Sequence, residues 1–345
     1  MGNAVMCTKI EVILKKLLLV ITIIIITNCT EKSDHNQIKL NSLSFVNIKF
    51  NSYNIKVKSE TKNILLGSLV PNIDTTVTNQ KELIFSISIP TPSYTISYIN
   101  NYKYNLFLSP DDTLYLELIN NKLNVIGQND IANINRFYLD EVYKKNKELT
   151  QEFMKPYYTT NSQTKFTLVT DSLKKIIYKN ITLGTNKYNL PTWFNEYEKL
   201  NNNYLQKLLL NTFGYACGET EVREGVTKQK VTSSDLEKLI LNDEDVFYSD
   251  IYFMFLESTI AFNFITDKNF YIPIAGKTEL LEYFHMEFNV ANQYLRHCIK
   301  NIYKTRILSG VTKYHGKQIV DDFKKESNDD YFNTKYYNYL LNKIN

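Results

Sequence analysis

Glycine and proline are scarce: ten and seven of 345 residues, about 5% together, where an average chain carries about 12%. Asparagine and aspartate, which tolerate the left-handed conformation best after glycine, must therefore carry the turns. Cysteine is scarcer still at four residues, too few for a fold built on disulfides. No Cys-x-x-Cys occurs, which excludes a self-contained redox pair. A strong charge of one sign is also missing: 40 basic residues face 36 acidic ones, for a net charge of +4. That balance excludes a disordered polyelectrolyte. Basic pairs such as Lys174-Lys175 and Lys324-Lys325 stand beside acids and read as solvated faces, so nucleic acid is not an expected partner. There is no Gly-x-Ser-x-Gly, no His-Glu-x-x-His and no glycine-rich phosphate loop. What is present is an ordinary foldable mixture, 43% hydrophobic and 22% charged, at a length that suits about two domains.

The first thirty residues give an address. Lys15 and Lys16 precede an uncharged apolar run from Leu17 to Ile26, which breaks at Thr27, Asn28 and Cys29. Charge, apolar stretch and a short cleavage zone in that order make a secretory signal, and the run is too short for a spanning helix of about 20 apolar residues. It resembles a bacterial lipoprotein signal, in which an apolar residue at the third position before the cut (Ile26) and small residues after it lead to a cysteine that is acylated. Thr27 fits, and Asn28 departs from the usual Gly, Ala or Ser. Lipidation at Cys29 is the reading adopted, ahead of an uncleaved anchor or a plain signal peptide. The expected layout is a signal peptide over 1–28, a polar tether over 29–40, a β-sandwich-like domain over 41–128 and a helical domain over 129–345. Removing 1–28 takes away three lysines and one glutamate, so the mature charge falls from +4 to +2.

The expected fold class is α+β, an N-terminal antiparallel β-sandwich-like domain followed by an all-helical one. From about 41 to 127 the period is two: Phe85, Ile87 and Ile89, then Tyr94, Ile96 and Tyr98, then Leu114, Leu116 and Leu118 each alternate with mostly polar residues. Each apolar set is expected to face the core. Asn100-Asn101, Ser109-Pro110-Asp111-Asp112 and Asn120-Asn121 mark turns. Leu43 and Phe45 give way to Ile48 and Phe50, a slip of one residue that predicts a bulge. After Gly127 the period lengthens. Asn129 and Asp130 cap a helix carrying Ile131, Ile134, Tyr138 and Val142. Pro191 opens another with Trp193, Phe194 and Tyr197. Ser234 and Glu237 have capping-box spacing. Val246 to Ile265 predicts a buried helix that Asp250 and Glu257 keep from being a membrane span. Leu281, Phe284, Phe288, Ala291, Leu295, Cys298 and Ile302 advance by threes and fours, predicting one stripe of one long helix.

Few residues suggest chemistry. With Cys7 in the signal and Cys29 acylated, Cys217 and Cys298 remain; they either form a disulfide or, since Cys298 lies on the apolar stripe, stay inert and buried. On a single helix His285, His297 and Cys298 point about 120° and about 220° apart and cannot share an ion, so no metal site is expected. The acidic run Asn242 to Asp245 suits a helix dipole better than a calcium loop. Glu219, Glu221 and Glu224 read as a solvated loop. No catalytic residues and no cofactor are expected.

The order of features nevertheless has a likeness. A lipoprotein signal is followed by a β-region that ends in Leu106-Phe107-Leu108-Ser109-Pro110-Asp111-Asp112-Thr113-Leu114-Tyr115-Leu116. Then come Val125-Ile126-Gly127 and Asn133-Ile134-Asn135-Arg136-Phe137-Tyr138-Leu139. This resembles the N-terminal half of the thioredoxin-like, TlpA-type lipoproteins of Bacteroidota. Leu190 to Glu198 and Phe247 to Tyr252 look like their helical middle. Asp111 stands where the family usually has glycine. In that family a thioredoxin domain with Trp-Cys-x-x-Cys follows; the sequence ends at Asn345 without one, so no redox residue is carried over. The resemblance implies an accessory role, a non-catalytic binding or scaffold module on the envelope, held to the membrane by its lipid, with a protein or peptide partner such as a thioredoxin-like protein. The rival expectations are a split or truncated part of a thiol–disulfide oxidoreductase and a glycan-binding surface lipoprotein, which would show exposed aromatics in a groove.

Overall fold

The computed structural model describes residues 38–51, 54–140, 163–219, 249–260 and 275–344, with the side chains of 163–165, 211–219 and 297 left aside. Eight strands come first: β1 (Leu43–Phe50), β2 (Ile55–Asn63), β3 (Ser68–Val77), β4 (Glu82–Ser88), β5 (Ser93–Ile99), β6 (Tyr102–Leu108), β7 (Thr113–Ile119) and β8 (Lys122–Ile126). They form two four-stranded sheets, ordered β4-β1-β7-β8 and β3-β2-β5-β6. Both sheets contribute to one apolar core: Val46, Ile48, Phe85, Ile87, Leu114 and Leu116 from the first, Ile55, Val57, Ile99, Leu106 and Leu108 from the second. Every pairing is antiparallel except β1 with β7, which run parallel. A parallel pair needs a long crossover, and here the whole second sheet is threaded between its two strands.

Turn chemistry follows the glycine shortage. Among the described residues, seven non-glycine positions have positive φ, and all are Asn or Asp: Asn54, Asn100, Asn101, Asp111, Asn120, Asn121 and Asn189. Asn100-Asn101 and Asn120-Asn121 each connect directly paired strands, since Ile99 faces Tyr102 and Ile119 faces Lys122. Two positive-φ residues in a two-residue hairpin match the right-handed twist of the strands.

Three details depart from expectation. Strand β1 has no bulge: it pairs without interruption on both sides, and its inner face is Ser44, Val46, Ile48 and Phe50, leaving Leu43 and Phe45 exposed. The irregularity lies instead between Ser59 and Glu60 of β2, opposite Pro71, and β3 is an edge strand, where a proline without N–H is tolerated. Strand β5 is inverted: Ser93, Thr95, Ser97 and Ile99 are its buried face. Hydroxyls there satisfy one another, Thr61 Oγ1 to Thr95 Oγ1 at 2.7 Å and Ser97 to Ser59 at 3.2 Å, with Asn72 Nδ2 donating to Thr61 at 2.9 Å.

Eight α-helices follow among the described residues: α1 (Asp130–Leu139), α2 (Gln163–Tyr188), α3 (Thr192–Glu219), α4 (Asp250–Ile260), α5 (Lys277–Tyr294), α6 (His297–His315), α7 (Gln318–Glu326) and α8 (Lys335–Ile344), with a 3-10 turn at Asp330–Asn333. Asn129 caps α1, accepting from the backbone of Ala132 at 3.0 Å. Helix α3 begins directly after Pro191. Helix α4 is buried on most sides. Ser234, Glu237 and Asn242 to Asp245 lie outside the described residues, as do Val142, Glu221 and Glu224. The expected single helix through Leu281 and Ile302 is two helices, with Leu295 and Arg296 extended between them. Glu287 of α5 and Tyr303 of α6 are hydrogen-bonded, although 16 residues of straight helix would part them by about 24 Å. The stripe folds back on itself because polar groups on both arms pair across the hairpin, while Phe284, Phe288, Ala291, Leu295 and Ile302 all stay buried.

The β-region meets the helices twice: Ile131, Ile134, Phe137, Phe194 and Tyr197 of α1 and α3 join the strand core, and one turn enters the second, helical core. Ile64, Leu65 and Leu66, at the tip of the β2–β3 hairpin, are buried among residues of α4, α5, α6 and α8. By their contacts the described strands and helices belong to one unit. Among the described residues no helix is long and apolar enough to cross a membrane.

Candidate functional site

The most heavily functionalised interior belongs to α6. Tyr303, Lys304, Thr305 and Arg306 are consecutive, and all are buried. Four successive residues on a helix point in four directions, so α6 must be surrounded on every side. Each polar end is met. Arg306 reaches Glu257 and Asp250 of α4, the latter at 2.8 Å, and donates Nη1 to the carbonyl of Ile64 at 2.7 Å. Burial works against its charge, but Glu257 and Asp250 hold the guanidinium firmly protonated. Gly67, with φ +62°, lies so close that an added Cβ would stand 3.3 Å from the guanidinium. The two acids that interrupt the apolar run of α4 thus share one arginine, which also fixes the hairpin tip.

Lys304 donates to both carboxylate oxygens of Asp329 at 2.7 Å and to Asn292 at 2.8 Å, with its ammonium 4.6 Å from the Phe288 ring. Burial lowers the lysine, and Asp329 opposes the fall. On the other side of the hairpin burial pushes the Glu287 carboxyl up to about 7, with Tyr303 and Tyr283 pulling it back and Glu257 adding to the rise. A second centre joins strands to helices: the hydroxyls of Tyr94 (β5) and Tyr138 (α1) converge on Oε1 of Glu198 (α3). Burial raises that carboxyl as well, against those two hydrogen bonds. Buried, perturbed carboxyls are the usual mark of catalytic groups. Here each is consumed by partners on neighbouring elements, and that arrangement serves cohesion.

Accessible chemistry lies on the outer faces of the sheets. On the first, one cross-strand row reads Ile84, Asn47, Tyr115, Ile126, with Phe45 and Leu43 further along β1. Ile84 is 60% exposed and Tyr115 48%. Asn47, at the centre, is only 9% exposed; its Nδ2 donates to Glu82 at 2.6 Å, and its Oδ1 has no hydrogen-bond partner. On the second sheet a cleft of about 270 Å³ is lined by Lys56, Lys58, Glu60, Tyr98 and Asn101. Neither face was singled out from sequence. The alternation read over 85–89, 94–98 and 114–118 covers part of the first face and, of the cleft, Tyr98, which it turns inward where the structure turns it outward.

Cys29 lies outside the described residues, and so does the side chain of Cys217. Cys298 carries a free, half-buried thiol. His285 sits edge-on to Phe323, 4.8 Å between ring centres, and His297 is on the next helix. The angular argument for a shared helix therefore does not apply. Among the described residues no three His, Cys, Asp or Glu side chains are grouped to hold a metal ion. Comparisons with protein-family models, with curated proteins and with solved structures return no match for this chain.

Proposed function

We propose that this chain is a lipid-anchored envelope protein that works as a non-catalytic binding or scaffold module, in the manner of the accessory half of thioredoxin-like lipoproteins. The leader ending in Ile26-Thr27-Asn28-Cys29 supports the anchor. The observation that carries the binding role is the outer face of the first sheet, where Leu43, Phe45, Ile84, Tyr115 and Ile126 are all at least 40% exposed. Contiguous exposed apolar surface marks interaction sites.

The experiment is a photo-cross-linker placed at Ile84 in the full chain in its own cells. A defined protein adduct that disappears when Tyr115 is changed to Glu supports the reading; lipid adducts alone, or none, refute it. Mass spectrometry of the mature N-terminus tests the anchor separately, with diacylated Cys29 expected and an intact Met1 or an unacylated end contradicting it.

A further inference from the structure

The cleft on the second sheet is independent of that apolar face and has a different chemistry. Lys58 and Tyr98 of its lining stand side by side on β2 and β5, in a cross-strand row that Asp74 on β3 and Lys103 on β6 extend beyond it on either side. Lys56 and Glu60 flank Lys58 on the same face of β2, two residues either way, and Asn101 closes one end from the β5–β6 turn. Lys58 is 3.0 Å from Glu60 and 43% exposed. Tyr98 is only partly exposed, so its ring forms a wall held by its neighbours, with a lysine on either side.

We infer that this cleft binds an acidic sugar, a single pyranose ring bearing a carboxylate or sulfate within a larger anionic glycan. Three features select that class. The aromatic wall suits the apolar face of a sugar ring, as planar side chains suit amphipathic ligands. The lining residues Lys56, Lys58 and Glu60 sum to one positive charge, the complement of one anionic group. Glu60 and Asn101 provide acceptors for hydroxyl donors, which a bare phosphate or sulfate lacks and a sugar has. A nucleic-acid backbone would be repelled by Glu60 and Asp74, and the chain has no basic stripe to offset them. At about 270 Å³ the space lies just below the range of about 300–1,000 Å³ typical of enclosed small-molecule sites. It therefore suits one ring of a chain that continues into solvent.

The test titrates the full chain by calorimetry with an oligogalacturonate, a sulfated oligosaccharide, a neutral galactose oligomer of equal length and inorganic phosphate alone. One of the two acidic oligomers should bind at least tenfold more tightly than the neutral one, and which of them does so names the anionic group. Tyr98→Thr should weaken that binding at least tenfold. Lys56→Gln with Lys58→Gln should abolish the preference for the acid, and added salt should weaken it. Ile84→Lys, on the opposite sheet, should leave it unchanged, so failure here is separate from failure of the protein-docking role. Three results overturn the inference: no binding by any of the four, equal binding of the neutral oligomer, or phosphate binding that Tyr98→Thr does not alter. Unchanged melting of the Tyr98→Thr protein shows that the loss is local, and the lysine variants stand as the test if that protein does not fold.

Discussion

The two halves of the molecule keep polar groups inside by opposite means. Between the sheets, the buried polar side chains of β2 and β5 are small and neutral: Ser59, Thr61, Thr95 and Ser97 satisfy one another across adjacent strands, and none carries charge. Between the helices, α6 buries Lys304 and Arg306 whole, and α5 buries Glu287, each tied to partners on other elements. A neutral hydroxyl pair loses about 1–3 kcal/mol when one member is removed and little when both are. A buried ion left without its counter-ion loses several kcal/mol, because its desolvation is no longer compensated. The helical half should thus fail abruptly on single substitutions and respond to pH, while the strand half should tolerate both.

The largest break in that comparison is expected at Arg306. Arg306→Met leaves Glu257 without its partner and Asp250 with only Lys62 at 3.4 Å, and frees the Ile64 carbonyl; it should cost about 3 kcal/mol, the lower end for a broken buried pair because both carboxylates are partly solvated, read as a shift in the urea midpoint. Arg306→Lys should recover only part of this, since a compact ammonium cannot reproduce the planar fork that reaches Glu257 with two nitrogens while also meeting Asp250 and the Ile64 carbonyl. The paired change Thr95→Val with Thr61→Val removes both partners of a neutral bond and leaves Asn72 only its longer bond to Ser59, and should by contrast cost no more than about 1 kcal/mol. A small effect at Arg306 would erase the distinction between the halves.

Next comes pH. The Glu287 carboxyl is raised from 4.5 to about 7 on folding, so between those values the folded state holds a proton that the unfolded state has released. Stability is then greatest below about pH 4.5 and falls as pH rises through 7, by about 3 kcal/mol in all at about 1.4 kcal/mol per pH unit. Glu198 acts in the same direction. Glu287→Gln should flatten most of this slope without moving the hairpin, because Gln still accepts from Tyr303; denaturation at pH 5 and pH 8 checks it. A slope unchanged by Glu287→Gln would place the titrating group elsewhere.

How much of this could be read from sequence follows the same division. Period-two alternation and Asn-Asn turns located the strands, and Asn129 and Pro191 located helix starts, because these signals are local. Which face of β5 turned inward was not legible: Tyr94, Ile96 and Tyr98 outweigh Ser and Thr on any apolar scale, yet Tyr94 is drawn outward to Glu198, more than a hundred residues away. The break at Leu295-Arg296 left no glycine or proline to mark it, and the three-four stripe runs on through it unbroken. Nothing local marks Lys304 and Arg306 as buried, since their counter-ions lie 25 to 56 residues off. The hairpin tip Ile64-Leu65-Leu66 is a short apolar run whose destination is set by helices more than 180 residues later.

A smaller effect tests the joint between the halves. Gly67 has positive φ and faces the Arg306 guanidinium, so Gly67→Ala adds both a left-handed penalty of about 1–2 kcal/mol and a contact that the anchored arginine must yield to. The expected loss exceeds that of an equivalent change at Gly316, also at positive φ but with open space around it. Equal losses at the two glycines would mean that the hairpin tip is held by its apolar side chains alone.

The smallest effect is expected in the turns, and it sharpens the contrast most directly. Asn121 has φ +60° in a two-residue hairpin, a position that glycine occupies without strain. Asn121→Gly should be neutral or stabilising by a few tenths of a kcal/mol, and Asn121→Ala should cost about 1 kcal/mol, both by thermal unfolding. Because the turn joins β7 to the edge strand β8 of the first sheet, neither change should alter the pH slope set by Glu287. If Asn121→Ala moved that slope, the far edge of the first sheet would be coupled to Glu287 more tightly than the hairpin tip, Arg306 and the Tyr94–Tyr138–Glu198 cluster allow.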